Sequence, residues 1–82
     1  MENRLKEIHP GEILREEFML PLGLSHVQLA EMLDVPASQV ERLTEGKAPV
    51  SADMALRLAK QFKVSQQFWL NLQAHYDRNG GR

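Results

Sequence analysis

Apolar residues recur along this chain at intervals of three and four, and Gly and Pro separate several of the resulting segments. Leu14 and Phe18, for example, lie four residues apart, which places both side chains on one face of an α-helix. The alternation of apolar and polar residues that is typical of a half-buried strand is absent. Leu, Ala, Glu, Gln, Arg and Met, which are good helix formers, dominate. The pattern therefore predicts a compact all-α domain of five short helices.

The first predicted helix begins at Pro10 and ends near Leu20. Proline is favoured at the first helical position because its ring fixes φ and its missing N–H would have no partner there. Pro21 should end the helix, since a proline ring clashes with the carbonyl group four residues before it. The linker that follows is predicted to turn Leu22 and Leu24 inward.

Two short helices joined by a tight turn come next. Ser25 and Gln28 have the spacing of a capping box, in which each side chain pairs with the backbone of the other residue. The turn comprises residues 34–36, and the following helix runs from about Ala37 to Glu45, with Gly46 as its stop. The inward residues are predicted to be Val27, Leu29, Ala30, Met32, Leu33, Ala37, Val40 and Leu43. Two helices of about eight residues with a tight turn between them predict a helix-turn-helix.

Serines cap the last two predicted helices. Ser51 begins a helix whose inward residues are Met54, Ala55, Leu58, Ala59 and Phe62. Ser65 begins a helix that runs to about Tyr76. The whole chain is predicted to be a single domain over residues 1–82, with short flexible ends at about residues 1–7 and 78–82.

Composition narrows the function classes. The chain has 82 residues, so it holds one thin core and little room for an enclosed catalytic cavity. Its net charge of −1 argues against indiscriminate nucleic-acid binding and permits a local basic patch. The absence of Cys excludes disulfides and thiolate zinc sites. With no signal-peptide pattern and no apolar stretch near the ~20 residues that span a bilayer, we expect a cytoplasmic protein without a membrane partner.

The candidate catalytic groups are weak. Glu41 and Glu45 lie four residues apart on one helix face, but solvated carboxylates without a pocket or metal have no reaction to perform. His9, His26 and His75 are too scattered for a metal-binding motif. The expectation is a binding protein rather than an enzyme, with neither metal nor cofactor.

The third predicted helix carries the candidate DNA contacts. In a helix-turn-helix, this second helix of the motif enters the major groove and presents its outward side chains to base edges. Ser38 and Gln39 lie at its leading end, and Ala37, the first residue of the helix, is also predicted to contact DNA. Arg42 faces outward if Val40 and Leu43 face inward, and an arginine can bind guanine through two hydrogen bonds. Its simpler role is an ion pair with neighbouring glutamates.

Two further residues are candidate phosphate contacts, and three are candidate dimer contacts. His26 begins the second helix, where backbone N–H groups also favour an anion. Lys47 follows the third helix and is otherwise a solvated lysine. The last helix has more large apolar side chains than one stripe can bury, which suggests a homodimer interface or simply a wide core. The interface residues are predicted to be Trp69, Leu72 and Tyr76.

The motifs together resemble a known family. SHVQLAEML at residues 25–33, followed by VERL at 40–43 and Gly46-Lys47, is similar to the helix-turn-helix of phage repressors. The flanking motifs IHPGEILREEF at 8–18, SADMALRLA at 51–59 and FWLNLQAHYD at 68–77 resemble HigA-type antitoxins of this (XRE-like) class. The resemblance covers about residues 8–77. The chain departs from the family pattern with Asp34 for the turn Gly, Gln39 for a basic residue, Glu45 for Asn and Ala48 for Arg.

The resemblance implies a function. HigA-type proteins neutralise a toxin of the HigB ribonuclease family, and they repress their own operon by binding double-stranded operator DNA as dimers. We therefore expect an antitoxin with operator DNA, a HigB-like toxin and a second copy of itself as partners. Two alternatives stay open: a stand-alone repressor without a toxin, and an interaction module that has lost DNA binding, to which Glu41 and Glu45 point.

Overall fold

The computed structural model describes residues 8–78. This part of the chain has no strand and forms five helices: α1 over residues 10–22, α2 His26–Leu33, α3 Ala37–Thr44, α4 Ala52–Phe62 and α5 Gln66–Arg78. The predicted all-α, five-helix fold is confirmed. Of the predicted flexible ends, residues 1–7 and 79–82 lie outside the described residues, whereas Arg78 is the last residue of α5.

Helix α1 is continuous but changes register. It consists of an α-helical start Pro10–Ile13, a π-helical segment Leu14–Met19 and a last turn Leu20–Leu22. The prediction that Pro21 ends this helix near Leu20 is wrong. The backbone N–H of Leu20 bonds to the carbonyl of Arg15, five residues before it. This wider turn relieves the clash that a proline ring makes with a regular α-helix, so the helix continues past Pro21.

Serine side chains cap the starts of α2, α4 and α5. Ser25 and Gln28 form the predicted capping box, with donor–acceptor distances of 3.1 and 2.9 Å. Ser51 accepts from the N–H of Met54 at 3.1 Å, and Ser65 accepts from Phe68 at 3.0 Å. Each cap satisfies a backbone donor that has no partner within its helix.

Residues from every helix, with Val50 of the α3–α4 loop, form the core. The core residues are Leu14, Met19, Leu29, Ala30, Leu33, Val40, Leu43, Val50, Met54, Ala55, Leu58 and Trp69. Three residues predicted to face inward are exposed instead: Leu22 at 61%, Val27 at 55% and Met32 at 41%. Helix α2 buries only the narrow stripe that meets α3 and α4, and Leu22 lies in the last turn of α1, beyond the body of the core.

The packing of the helices leaves one side of α3 uncovered. Helix α1 packs against α3 and α5, α2 packs against α3 and α4, and α4 packs against α5. Helix α3 buries Val40 and Leu43 and keeps its polar residues at the surface. The fold therefore holds α3 by one apolar face and presents the opposite face outward.

Candidate nucleic-acid interface

The turn between α2 and α3 is built by local backbone chemistry. Asp34 adopts the left-handed conformation, with φ of 62°. Aspartate tolerates this region better than most residues, so it replaces the glycine that the family pattern has there. The N–H of Val35 bonds to the carbonyl of Ala30 at 3.0 Å and closes the turn. Ala30 is buried, and its small side chain permits the close crossing of the two helices.

Arg57 of α4 braces the same turn, and sequence reasoning missed this residue. Its guanidinium donates to the carbonyl oxygens of Leu33 at 2.8 Å and Asp34 at 3.4 Å. Asp53 lies one helical turn earlier, and its Oδ2 accepts a hydrogen bond from Arg57 Nε at 2.8 Å. This hydrogen bond and the charge of Asp53 raise the pKa of Arg57 above its ordinary value. The i, i+4 spacing of Asp53 and Arg57 predicts their pairing, but the turn carbonyls lie 23 and 24 residues away.

The exposed face of α3 brings the predicted base-reading residues together. Ser38 and Arg42 are exposed and lie four residues apart on one face, with Gln39 half-buried beside them. Ala37 is half-buried and packs against the core, so its side chain has less surface for a ligand than the three polar residues. Glu41 on α3 and Glu45, the residue that follows α3, are also exposed, which gives this surface charges of both signs.

The loop after α3 stays close to Arg42. The guanidinium of Arg42 donates to the backbone carbonyl of Lys47 at 3.3 Å, and the N–H of Lys47 bonds to the carbonyl of Arg42 at 2.8 Å. Lys47 Nζ lies 3.5 Å from Glu45 Oε1, and both side chains are more than half exposed. Exposed pairs of this kind stabilise little, so water or an anion can replace them. Arg42 and Lys47 thus present two positive groups at the end of α3.

His26 is placed at the open end of the helix-turn-helix, next to Thr44. Its Nε2 lies 2.9 Å from Thr44 Oγ1 at the last residue of α3. Thr44 Oγ1 in turn donates to the carbonyl of Glu41 at 3.1 Å. His26 is half-buried, so it lies at the start of α2 as predicted, but its side chain is occupied by a partner within the protein.

The start of α1 packs against the end of α3. His9 caps α1 by accepting from the N–H of Gly11 at Nδ1, 2.9 Å away. Burial lowers the pKa of His9 below its ordinary value of 6.5, against the opposing effects of a hydrogen bond to the Ala48 backbone and of the nearby Asp77 and Glu12 charges. The ring also makes an edge-to-face contact with Tyr76 of α5, with ring centroids 4.8 Å apart. His9 therefore ties α1, α5 and the loop after α3 together as a neutral imidazole.

The predicted dimer residues on α5 have different environments. Trp69 is 0% exposed and packs against Phe18 and Phe68 inside the domain, so it is a core residue that a second copy cannot reach. The inclusion of Trp69 in an interface is thus corrected, because α1 covers the face of α5 that carries it. Leu72 and Tyr76 are half-buried and retain surface.

Gln73 on α5 is a second residue that sequence reasoning missed. It is 9% exposed, and its Oε1 accepts from the N–H of Val50 at 2.8 Å, which fixes the loop between α3 and α4. Its Nε2 donates to Asp77 Oδ1 at 2.9 Å. In the sequence, only the position of Gln73 as a polar residue among the apolar residues of α5 could have indicated this role.

Neither a metal-binding cluster nor a membrane-spanning helix is found in the described part of the chain. Residues 8–78 contain no cluster of three or more His, Cys, Asp or Glu side chains that could hold a metal ion. None of the helices in this range has the length and apolar character needed to cross a membrane.

The tight α2–α3 turn and the outward polar face of α3 define the fold of a helix-turn-helix DNA-binding regulator. A family model described as Helix-turn-helix matches residues 14–68, and the chain belongs to this family, in its phage-repressor (XRE-like) class. The predicted resemblance to HigA-type antitoxins is confirmed by the comparisons that follow.

Solved structures and a curated relative support this placement. PA4674 of Pseudomonas aeruginosa in complex with its operator DNA is 45% identical, with a TM-score of 0.87 over 89% of this chain and 77% of that one. Pseudomonas aeruginosa antitoxin HigA with the higBA promoter is 46% identical, with a TM-score of 0.85 over 87% of this chain and 77% of that one. Virulence-associated protein I of Dichelobacter nodosus is 45% identical over 76 residues, which are 93% of this chain and 70% of that protein.

Proposed function

We propose that this protein is an antitoxin that represses its own operon by binding operator DNA and neutralises a HigB-like ribonuclease toxin. The observation that carries the DNA-binding part is the exposed face of α3, where Ser38, Gln39 and Arg42 lie together. Two similar structures, PA4674 and HigA, were solved with their operator or promoter DNA. A protein that binds operator DNA works where the DNA is, which in a bacterium is the cytoplasm.

Binding needs no chemistry beyond complementary contacts. Helix α3 enters the major groove, Ser38, Gln39 and Arg42 contact base edges, and Ala37 approaches the bases at the leading end of the helix. Lys47 contacts phosphate and fixes the register of the protein on the duplex, and a phosphate contact is also the role predicted for His26. One domain carries one reading helix, so a homodimer places two such helices in successive major grooves about 34 Å apart.

The proposed dimer contact lies on α5, at Leu72 and Tyr76. Both side chains are half-buried in one copy, so a second copy would remove further apolar surface from water. Tyrosine suits such an interface because it combines a large apolar ring with a polar tip. A small domain with a thin core also gains stability from this additional burial.

A salt-titrated gel shift with the DNA upstream of the gene tests the first part of the proposal. We expect specific binding that weakens steeply with salt, because each neutralised phosphate contributes about −0.9 to the slope of log affinity against log salt. A scrambled duplex of the same composition is the control. If the protein binds neither duplex, because Glu41 and Glu45 repel the phosphates, the interaction-module alternative is supported instead.

Co-expression with the adjacent open reading frame tests the antitoxin part. We expect the two products to co-purify, and expression of the neighbour alone to degrade RNA and arrest growth. If the neighbour neither co-purifies nor degrades RNA while specific DNA binding holds, the protein is a stand-alone repressor.

A further inference from the structure

The two helices of the helix-turn-helix are joined at both ends. At one end the chain itself forms the turn, which Arg57 braces from α4. At the other end, where no covalent link exists, His26 at the start of α2 meets Thr44 at the end of α3, with Nε2 and Oγ1 2.9 Å apart. We refer to this side-chain hydrogen bond as the His26–Thr44 latch.

The hydrogen-bond donors of the latch follow from the valence of the hydroxyl. Thr44 Oγ1 has one proton, which it donates to the carbonyl oxygen of Glu41 at 3.1 Å. In its second hydrogen bond the same oxygen must therefore be the acceptor, so His26 Nε2 carries a proton and donates it. In a neutral imidazole the other ring nitrogen, Nδ1, is left without a proton. His26 in this tautomer has no free donor for a phosphate oxygen.

We propose that His26 and Thr44 are positioning residues that fix the angle of the recognition helix α3, rather than residues that contact DNA. This inference rests on the proposed operator binding. Helix α3 has eight residues and is about 12 Å long. A rotation of about 5° at the turn moves its far end by roughly 1 Å, which is more than a bidentate base contact tolerates. Arg42 lies in the last turn of α3, two residues before the latch, so its guanidinium is displaced by nearly the full amount.

The core holds α3 in place coarsely without the latch. Val40 and Leu43 are buried, whereas Thr44 is only half-buried, so loss of its hydroxyl group leaves the apolar contacts intact. A variant without the hydroxyl should therefore fold and still bind DNA in general. Only the readout that depends on the exact angle of α3 should suffer.

Thr44→Val tests the latch, because valine has the shape of threonine without the hydroxyl. We expect its affinity for the operator to fall about five-fold, the effect of one typical net hydrogen bond, while its affinity for scrambled DNA and its salt slope stay unchanged. Thr44→Ser keeps the hydroxyl and should restore operator affinity. His26→Leu should match Thr44→Val, and the double variant should lose no more than either single variant.

Two controls separate positioning from general stability and from phosphate binding. Ser51→Ala removes the cap of α4, which accepts from Met54, and so destabilises the fold without touching the latch. It should leave operator affinity unchanged at temperatures where the protein is folded. Nitrogen-15 NMR of the imidazole should show the Nε2–H tautomer in the wild type and a mixture of tautomers in Thr44→Val.

The outcomes are distinct. The latch proposal is overturned if Thr44→Val binds the operator as the wild type does, while His26→Leu loses about one phosphate contact from its salt slope. His26 would then be a phosphate contact. Wild-type protein that does not distinguish operator from scrambled DNA overturns the proposed function and this inference with it.

Discussion

Gly11 lies directly against the backbone carbonyl of Leu43. A Cβ atom added to Gly11 would overlap that oxygen, and it would also touch the Cα of Thr44. The first turn of α1 therefore meets the last turn of α3 backbone to backbone, with no side chain between them. This contact sets the depth at which the recognition helix sits on the rest of the domain.

The first prediction concerns this contact. Gly11→Ala should destabilise the protein by about 3 kcal/mol, because the obstructing atoms are backbone and cannot move aside as a side chain could. Urea unfolding followed by the fluorescence of the single tryptophan, Trp69, measures the loss. Gly23→Ala is the matched control: its φ of 67° disfavours alanine, but nothing obstructs a Cβ there, so it should cost only about 1 kcal/mol. Equal losses would mean that the α1–α3 contact is loose.

Arg42→Ala should weaken operator binding and relax the preference at one base pair of each half-site. A bidentate arginine–guanine contact discriminates by about 1–3 kcal/mol, and Arg42 must exchange its bond to the Lys47 carbonyl for this contact. Competition gel shifts with single-base operator variants measure the effect. Arg15→Ala removes the same charge from α1 and should keep the wild-type preferences. Unchanged discrimination in Arg42→Ala would assign base readout to other residues.

Acid should destabilise the fold through His9. Burial lowers the pKa of His9 in the folded protein, so the unfolded chain takes up the proton more readily. The stability due to neutral His9 is thus complete above its ordinary pKa of 6.5 and is lost as the pH falls through the lower pKa of the folded state. Unfolding free energies across this range should fall more steeply for the wild type than for His9→Asn, whose side chain can still cap α1 without titrating. Parallel curves would refute the assignment.

Gln73→Leu should cost about 1–3 kcal/mol, because the N–H of Val50 would be buried without an acceptor. Thermal unfolding by circular dichroism measures this loss. Asp77→Asn alters the outer bond of the Gln73 amide and removes a charge near His9, but it leaves the acceptor of the Val50 N–H in place, so it should change stability far less. If the two variants were equally stable, water would reach the Val50 amide.

A charge at Leu72 or Tyr76 on α5 should dissociate the proposed homodimer. In a two-fold contact each substitution acts twice, so Tyr76→Glu or Leu72→Glu should shift the protein toward monomer and cost operator affinity more than helix content. Ala74→Glu places the same charge on the opposite face of α5 and serves as the control. Sedimentation at micromolar concentration measures the change. A wild-type monomer would exclude a stable dimer, and a charged variant that stays dimeric would move the interface elsewhere, first to α1.

The sequence by itself determined the features that arise within one or two turns of helix. The capping box of Ser25 and Gln28, the cap at Ser51 and the inward face formed by Val40 and Leu43 all depend on residues at most four positions apart. Sequence patterns report such short-range interactions directly. The helix-turn-helix and the outward position of Arg42 could be predicted for this reason.

Only the tertiary structure decided how the helices meet. The burial of Trp69, the exposure of Val27, the contact of Gly11 with Leu43 and the bond of His26 to Thr44 all depend on the angles at which the helices cross, not on residues within one or two turns of each other. These angles follow from the packing of the whole core, because each helix buries only the stripe that its neighbours leave room for. The register change in α1 was also decided by the tertiary structure. The local sequence predicts that Pro21 ends the helix, but in the folded protein the turn before Pro21 widens by one residue and the helix continues.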